Sequence, residues 1–123
     1  MPPKKGKKGG GKKDQLDDTT EKLWRAYRRH IQAAGLTMPR KLYEKFMELR
    51  DEKHPQNLNE LIIWDDIGPD QIIALFGALT DLKYQYLRQI RLFHANIQDE
   101  GLRAISNYFK EVKTVHYLDL VDC

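Results

Sequence analysis

The 123-residue sequence predicts an α/β fold: a solenoid of strand–helix repeats, preceded by an N-terminal helical cap and a disordered basic leader. Three observations predict it. An apolar triad spaced L-x-x-L-x-L occurs at Leu58/Leu61/Ile63, at Leu87/Ile90/Leu92 and at Val115/Leu118/Leu120, with offsets of 29 and 28 residues. After the first two triads the apolar period changes from two to three-and-four, the change from strand to helix. Two amphipathic segments come before the first triad, where a stack of repeats needs its open end covered.

Residues 1–15 are read as the leader. Its first thirteen, MPPKKGKKGGGKK, offer Gly, Pro and Lys with no apolar side chain beyond Met1, and cannot fold alone. Lys4, Lys5, Lys7, Lys8, Lys12 and Lys13 place a charge of +6 there. Of 21 basic residues 15 remain, against 18 acidic ones, so the rest of the chain carries −3. Attraction to an acidic partner is therefore concentrated at the N-terminus. Lysines without interleaved aromatic residues argue against base stacking and sequence readout.

Residues 16–54 are read as a two-helix cap. Leu23, Tyr27, Ile31 and Ala34 form a stripe over a helix spanning 19–35, with Asp18 or Thr20 as its N-cap and Gly35 at its end. Thr37, Met38 and Pro39 open a second helix to about Arg50, with Leu42, Phe46 and Leu49 in one row.

Residues 55–123 are read as two complete repeats and the start of a third. The first strand covers Leu58 to Trp64, and Gly68 and Pro69 start a helix that buries Ile72, Leu75, Phe76 and Leu79. In the second repeat Asp99 caps a helix whose apolar stripe is Leu102, Ile105, Phe109 and Val112. The third strand spans Val115 to Leu120. The sequence stops before a third turn and helix, so a longer repeat protein, or a partner that covers the strand, is expected.

The stretch LRQIRLFHANIQDEGLRAI, Leu87 to Ile105, resembles a leucine-rich repeat of the ribonuclease-inhibitor type. Cys123 falls on the N/C position of that motif, whereas Asp66 and Ala95 depart from it. Ile63 to Ile67 is one step shorter than Leu92 to Ile97, so a looser turn is expected in the first repeat. The resemblance implies a rigid protein-binding scaffold. The Lys/Gly/Pro leader and loosely conforming repeats also resemble ciliary leucine-rich repeat proteins of the axoneme. That resemblance implies a cytoplasmic, cytoskeletal component whose tail contacts acidic surfaces such as tubulin tails.

Alternation along the strands selects the candidate site. It stacks Ile62, Arg91 and Asp119 in one column and Trp64, Phe93 and Val121 in a second, both directed away from the repeat core. Trp64 and Phe93, about one strand spacing of ~4.8 Å apart, form the expected hot spot of a protein-binding patch. A third column of Asp65, His94 and Asp122 lacks a second histidine and reads as polar residues on the surface of a concave sheet rather than a metal site. Cys123 reads as a buried, inert residue. No nucleotide-binding or nucleophile-elbow motif is present, and neither catalysis nor a cofactor is expected.

Composition narrows the remaining classes. No apolar run reaches the ~18 residues of a membrane span, so no membrane partner is expected. There is no apolar signal stretch at the N-terminus. A single cysteine cannot form an internal disulfide and suits a reducing compartment. The competing class is a nucleic-acid-associated, nuclear protein whose tail contacts phosphates, but the acidic body argues against a large footprint. A third is an adaptor for ubiquitin ligation or actin capping.

Overall fold

In a computed structural model, the structure describes residues 11–123 apart from 52, 54, 65 and 66, with side chains from residue 19 onward. The elements follow as α1 (Gly11–Ala33), α2 (Arg40–Leu49), β1 (Glu60–Ile63), α3 (Pro69–Asp81), β2 (Gln89–Phe93), α4 (Gln98–Glu111) and β3 (Tyr117–Val121). The strands form one parallel sheet in the order β1-β2-β3. Leu61 pairs with Ile90 and Ile90 with Leu118; Ile63 pairs with Leu92 and Leu92 with Leu120. These are the partners that the triad offsets require.

The chain does not build the predicted solenoid. Among the described residues it forms a small open sheet of three parallel strands with four helices. A solenoid stacks each repeat between two neighbours. Among the described residues only β2 has a strand on both sides. The third triad shows the consequence. Leu61, Ile90 and Leu92 are buried, whereas Leu118 on the edge strand is 44% exposed and Val115 and Leu120 are only half-buried.

One face of the sheet is packed. The helices α1, α3 and α4 lie side by side, α3 touching both of the others. Pro69 holds the first position of α3, with Gly68 as its N-cap, and Ile72, Leu75, Phe76 and Leu79 are all buried as their spacing requires. The α1–α3 seam is close. The ring of His30 lies over Gly77, where a Cβ would stand 2.9 Å from it, and its Nε2 meets Asp81 Oδ2 at 2.8 Å. The other seam uses Gly101, where a Cβ would stand 3.4 Å from Ile72 Cγ2 of α3.

Several local expectations change. The helix α1 begins at Gly11, well ahead of 19, so Thr20 is not an N-cap. Its buried hydroxyl donates to the Gln56 carbonyl at 2.7 Å, which ties α1 to the loop before β1. Ala34 is exposed, and Trp24 and Ala26 join Leu23, Tyr27 and Ile31 in the core. Gly35 does end the helix, at φ +67. Pro39 is the N-cap of α2 rather than part of its first turn. Asp99 lies inside α4, in its first turn, where its charge suits the helix dipole. That helix buries Gly101, Ile105 and Tyr108, with Val112 buried just past its end, leaving Leu102 48% exposed and Phe109 half-buried. Cys123 is exposed rather than buried, because among the described residues no element packs beyond β3. Residues 65 and 66 of the predicted short turn lie outside the described residues.

Side-chain hydroxyls tie the successive loops together. Tyr84 donates to the Leu58 carbonyl at 2.8 Å, Tyr108 to the Tyr84 carbonyl at 2.5 Å, and Thr114 to the Leu87 carbonyl at 2.8 Å. Each bond satisfies a loop carbonyl that the sheet ladder does not reach. Burial pushes the Tyr108 phenol up to about 12 and raises Tyr84 and Tyr27 as well.

Candidate protein-binding face

Parallel sheets are ordinarily covered on both faces. Here the helices cover one face, and the other carries the alternate residues of each strand. Ile62 is 41% exposed and Trp64 58%. Arg91, Asp119 and Val121 are half-buried on the same face. All six predicted residues are therefore brought together.

The aromatic pair departs from the expectation in one respect. Trp64 and Phe93 stack with centroids 4.0 Å apart and planes 12° from parallel. Trp64 lies over Phe93, and Phe93 is consequently buried at 9% exposure. The exposed element is one broad indole on an apolar base, not two exposed rings. Such a ring brings a large contact area with few rotatable bonds to immobilise.

Charge is built beside the rings. The guanidinium of Arg91 lies 5.4 Å from the Phe93 centroid and 5.8 Å from that of Tyr117. Its Nη2 reaches Asp119 Oδ2 at 3.6 Å. The Nε of Arg91 is buried with no hydrogen-bond partner among the described residues. Two rings and a carboxylate thus hold the guanidinium over the sheet, where it adds cation–π attraction and an oriented donor. Tyr117, 47% exposed, belongs to this face and was missed from the sequence. Its signal was there: alternation through Asp119 and Val121 reaches Tyr117 two residues earlier.

The third column is partly assembled. His94 Nδ1 lies 3.7 Å from Asp122 Oδ2, while Asp65 lies outside the described residues. His94 and Asp122 each follow the last residue of a strand and take left-handed backbone, φ 61 and 52. Asp and His are among the residues that tolerate that region. Both therefore serve the chain's departure from the sheet. Among the described residues no group of three His, Cys, Asp or Glu could hold a metal ion. No described helix is long and apolar enough to cross a membrane. Of the leader lysines, Lys4, Lys5, Lys7 and Lys8 lie outside the described residues, and Lys12 and Lys13 fall within α1. No protein-family model matches the chain, and no curated protein matches it.

Proposed function

We propose that this protein is a non-enzymatic binding module whose uncovered sheet face captures a protein partner. One observation carries the reading: Trp64, stacked on Phe93, stands 58% exposed on the bare face of a parallel sheet. Ile62 and Tyr117 widen the apolar area, and Arg91 with Asp119 supplies the charged rim. An aromatic anchor inside a polar rim is the composition of a binding hot spot. The partner surface that fits is apolar at its centre with an acceptor for the Arg91 guanidinium. The setting we propose is a cytoskeletal assembly, axonemal in the first instance, with the six leader lysines contacting acidic protein surfaces.

The test is affinity purification from ciliated cells with the full chain, the Trp64→Ala variant and a chain lacking residues 1–13. Tubulin and axonemal proteins should be recovered by the full chain and lost with Trp64→Ala. Undiminished recovery by Trp64→Ala would place binding elsewhere. Because Trp64 is exposed, the variant should melt cooperatively, losing only the stacking contribution of roughly 0.5–1.5 kcal/mol.

A further inference from the structure

The end of the sheet where the strands begin carries a second surface, independent of the aromatic face. A cleft of about 600 Å³ opens between α1 and the loops that lead into β2 and β3. Lys22, Lys83 and Arg88 line it, together with the hydroxyl-bearing Thr19, Thr114 and Tyr86. A second hollow continues from it. The two share Tyr86 and Arg88, and the second adds Gln56, Asn57 and Asn59 from the loop before β1. The result is a trough with cations at one end and side-chain amides at the other. Among the described residues no carboxylate lines either hollow.

Arg88 is the centre of this surface. Its backbone is held on both sides: its N–H donates to the Asn59 carbonyl at 2.8 Å, and its own carbonyl accepts from the His116 N–H at 3.0 Å. Its Nη1 donates to the Gln85 carbonyl at 2.8 Å. A guanidinium has five N–H donors, so that bond steadies the fork without exhausting it. Arg88 pairs with no carboxylate among the described residues, whereas Lys83 shares its ammonium with Glu111 at 3.7 Å. An oriented cation in a cleft that no carboxylate lines among the described residues concentrates anions.

We infer that the trough binds an extended acidic peptide, its carboxylates on Arg88 and Lys83 and its backbone on the amides of Gln56, Asn57 and Asn59. Side-chain amides both donate and accept, as a peptide backbone requires. A lone phosphate would occupy the cationic end and leave the amide end unused. A nucleic-acid strand needs successive stacking platforms, and among the described residues the trough has one exposed ring, Tyr86.

The test is fluorescence anisotropy with the full chain and a short fluorescein-labelled oligoglutamate, with oligoglutamine of equal length as the neutral comparison. The leader lysines attract any anion, so two charge reversals are compared. Arg88→Glu lies in the trough, and Arg103→Glu, exposed on α4, makes the same change in net charge elsewhere. Arg88→Glu should weaken oligoglutamate binding about tenfold or more, while Arg103→Glu changes it less than about twofold. Binding should weaken with added salt, and oligoglutamine should not bind. In the wild-type protein, backbone amide signals of Asn57, Tyr86 and Thr114 should shift on titration. Equal losses in the two variants, or unmoved trough amides, would overturn the inference. So would displacement of the peptide by millimolar inorganic phosphate, or tighter Arg88-dependent binding of a single-stranded oligonucleotide.

Discussion

Leu61 and Leu118 are the same residue at equivalent positions of one strand column, each paired with Ile90 of the central strand. In a stacked array they would be equally buried. Here Leu61 is 1% exposed and Leu118 is 44% exposed. Replacing each by alanine removes the same atoms from two environments. At Leu61 the loss of transfer free energy is joined by a cavity, and the expected cost is about 2–5 kcal/mol. At Leu118 about half of the side chain is already in water and the edge leaves no closed cavity. At ~0.8 kcal/mol per buried methylene, the expected cost is about 1 kcal/mol. For a chain of this size each kcal/mol lowers the melting temperature by roughly 4 °C. Leu61→Ala should therefore melt roughly 8–20 °C lower and Leu118→Ala only about 4 °C lower. The assay is urea and thermal unfolding by circular dichroism at low micromolar concentration, where self-association cannot cover the edge. Equal losses at the two sites would refute the open-sheet account, because Leu118 would then have to be as deeply packed as Leu61.

Two buried tyrosines offer a second paired comparison. Tyr108→Phe strips the hydrogen bond from the Tyr84 carbonyl and should cost about 1–3 kcal/mol in urea unfolding. Tyr27→Phe removes a buried hydroxyl with no partner among the described residues and should be neutral or stabilising, so a loss at Tyr27 as large as that at Tyr108 would contradict the bonding described. A third prediction concerns alkaline pH. Burial raises the Tyr108 phenol from 10.0 to about 12, so the folded state retains a proton that the unfolded chain releases. That stability is fully present below pH 10 and falls by about 2–3 kcal/mol as pH rises from 10 to 12. Urea midpoints that do not fall over that range would contradict it, and Tyr108→Phe should show a shallower fall than the wild type.

Much of the architecture was legible because strand and helix periods are local properties. Leu61 and Ile63 alternate with Glu60 and Ile62 whatever lies across from them, and equal spacing of the triads sets the pairing. The identity of Gly35 as a helix end followed from its tolerance of positive φ, and that of Pro69 as a helix start from its missing amide. The members of the candidate face were legible for the same reason, since Trp64, Arg91 and Asp119 follow from alternation alone.

What the local pattern could not supply depends on neighbours distant in the chain. The buried face of α4 is turned toward Tyr108 and away from Leu102, because Gly101 admits Ile72 of α3 to close contact and the Tyr108 hydroxyl reaches the Tyr84 carbonyl. Phe93 is buried only because the indole of a residue 29 positions earlier lies over it. The apolar triad of the third strand has the same spacing as the first two, yet Leu118 is exposed, since burial is a property of what covers a side chain and not of its period. Arg88 in the sequence is one of many surface cations. Its place in a trough with Lys22, Lys83 and Asn59 exists only once three loops and α1 are brought to one end of the sheet. The chain's alternation thus set its strands, their register and the outward residues, and packing between distant segments set which of those residues meet solvent and which meet one another.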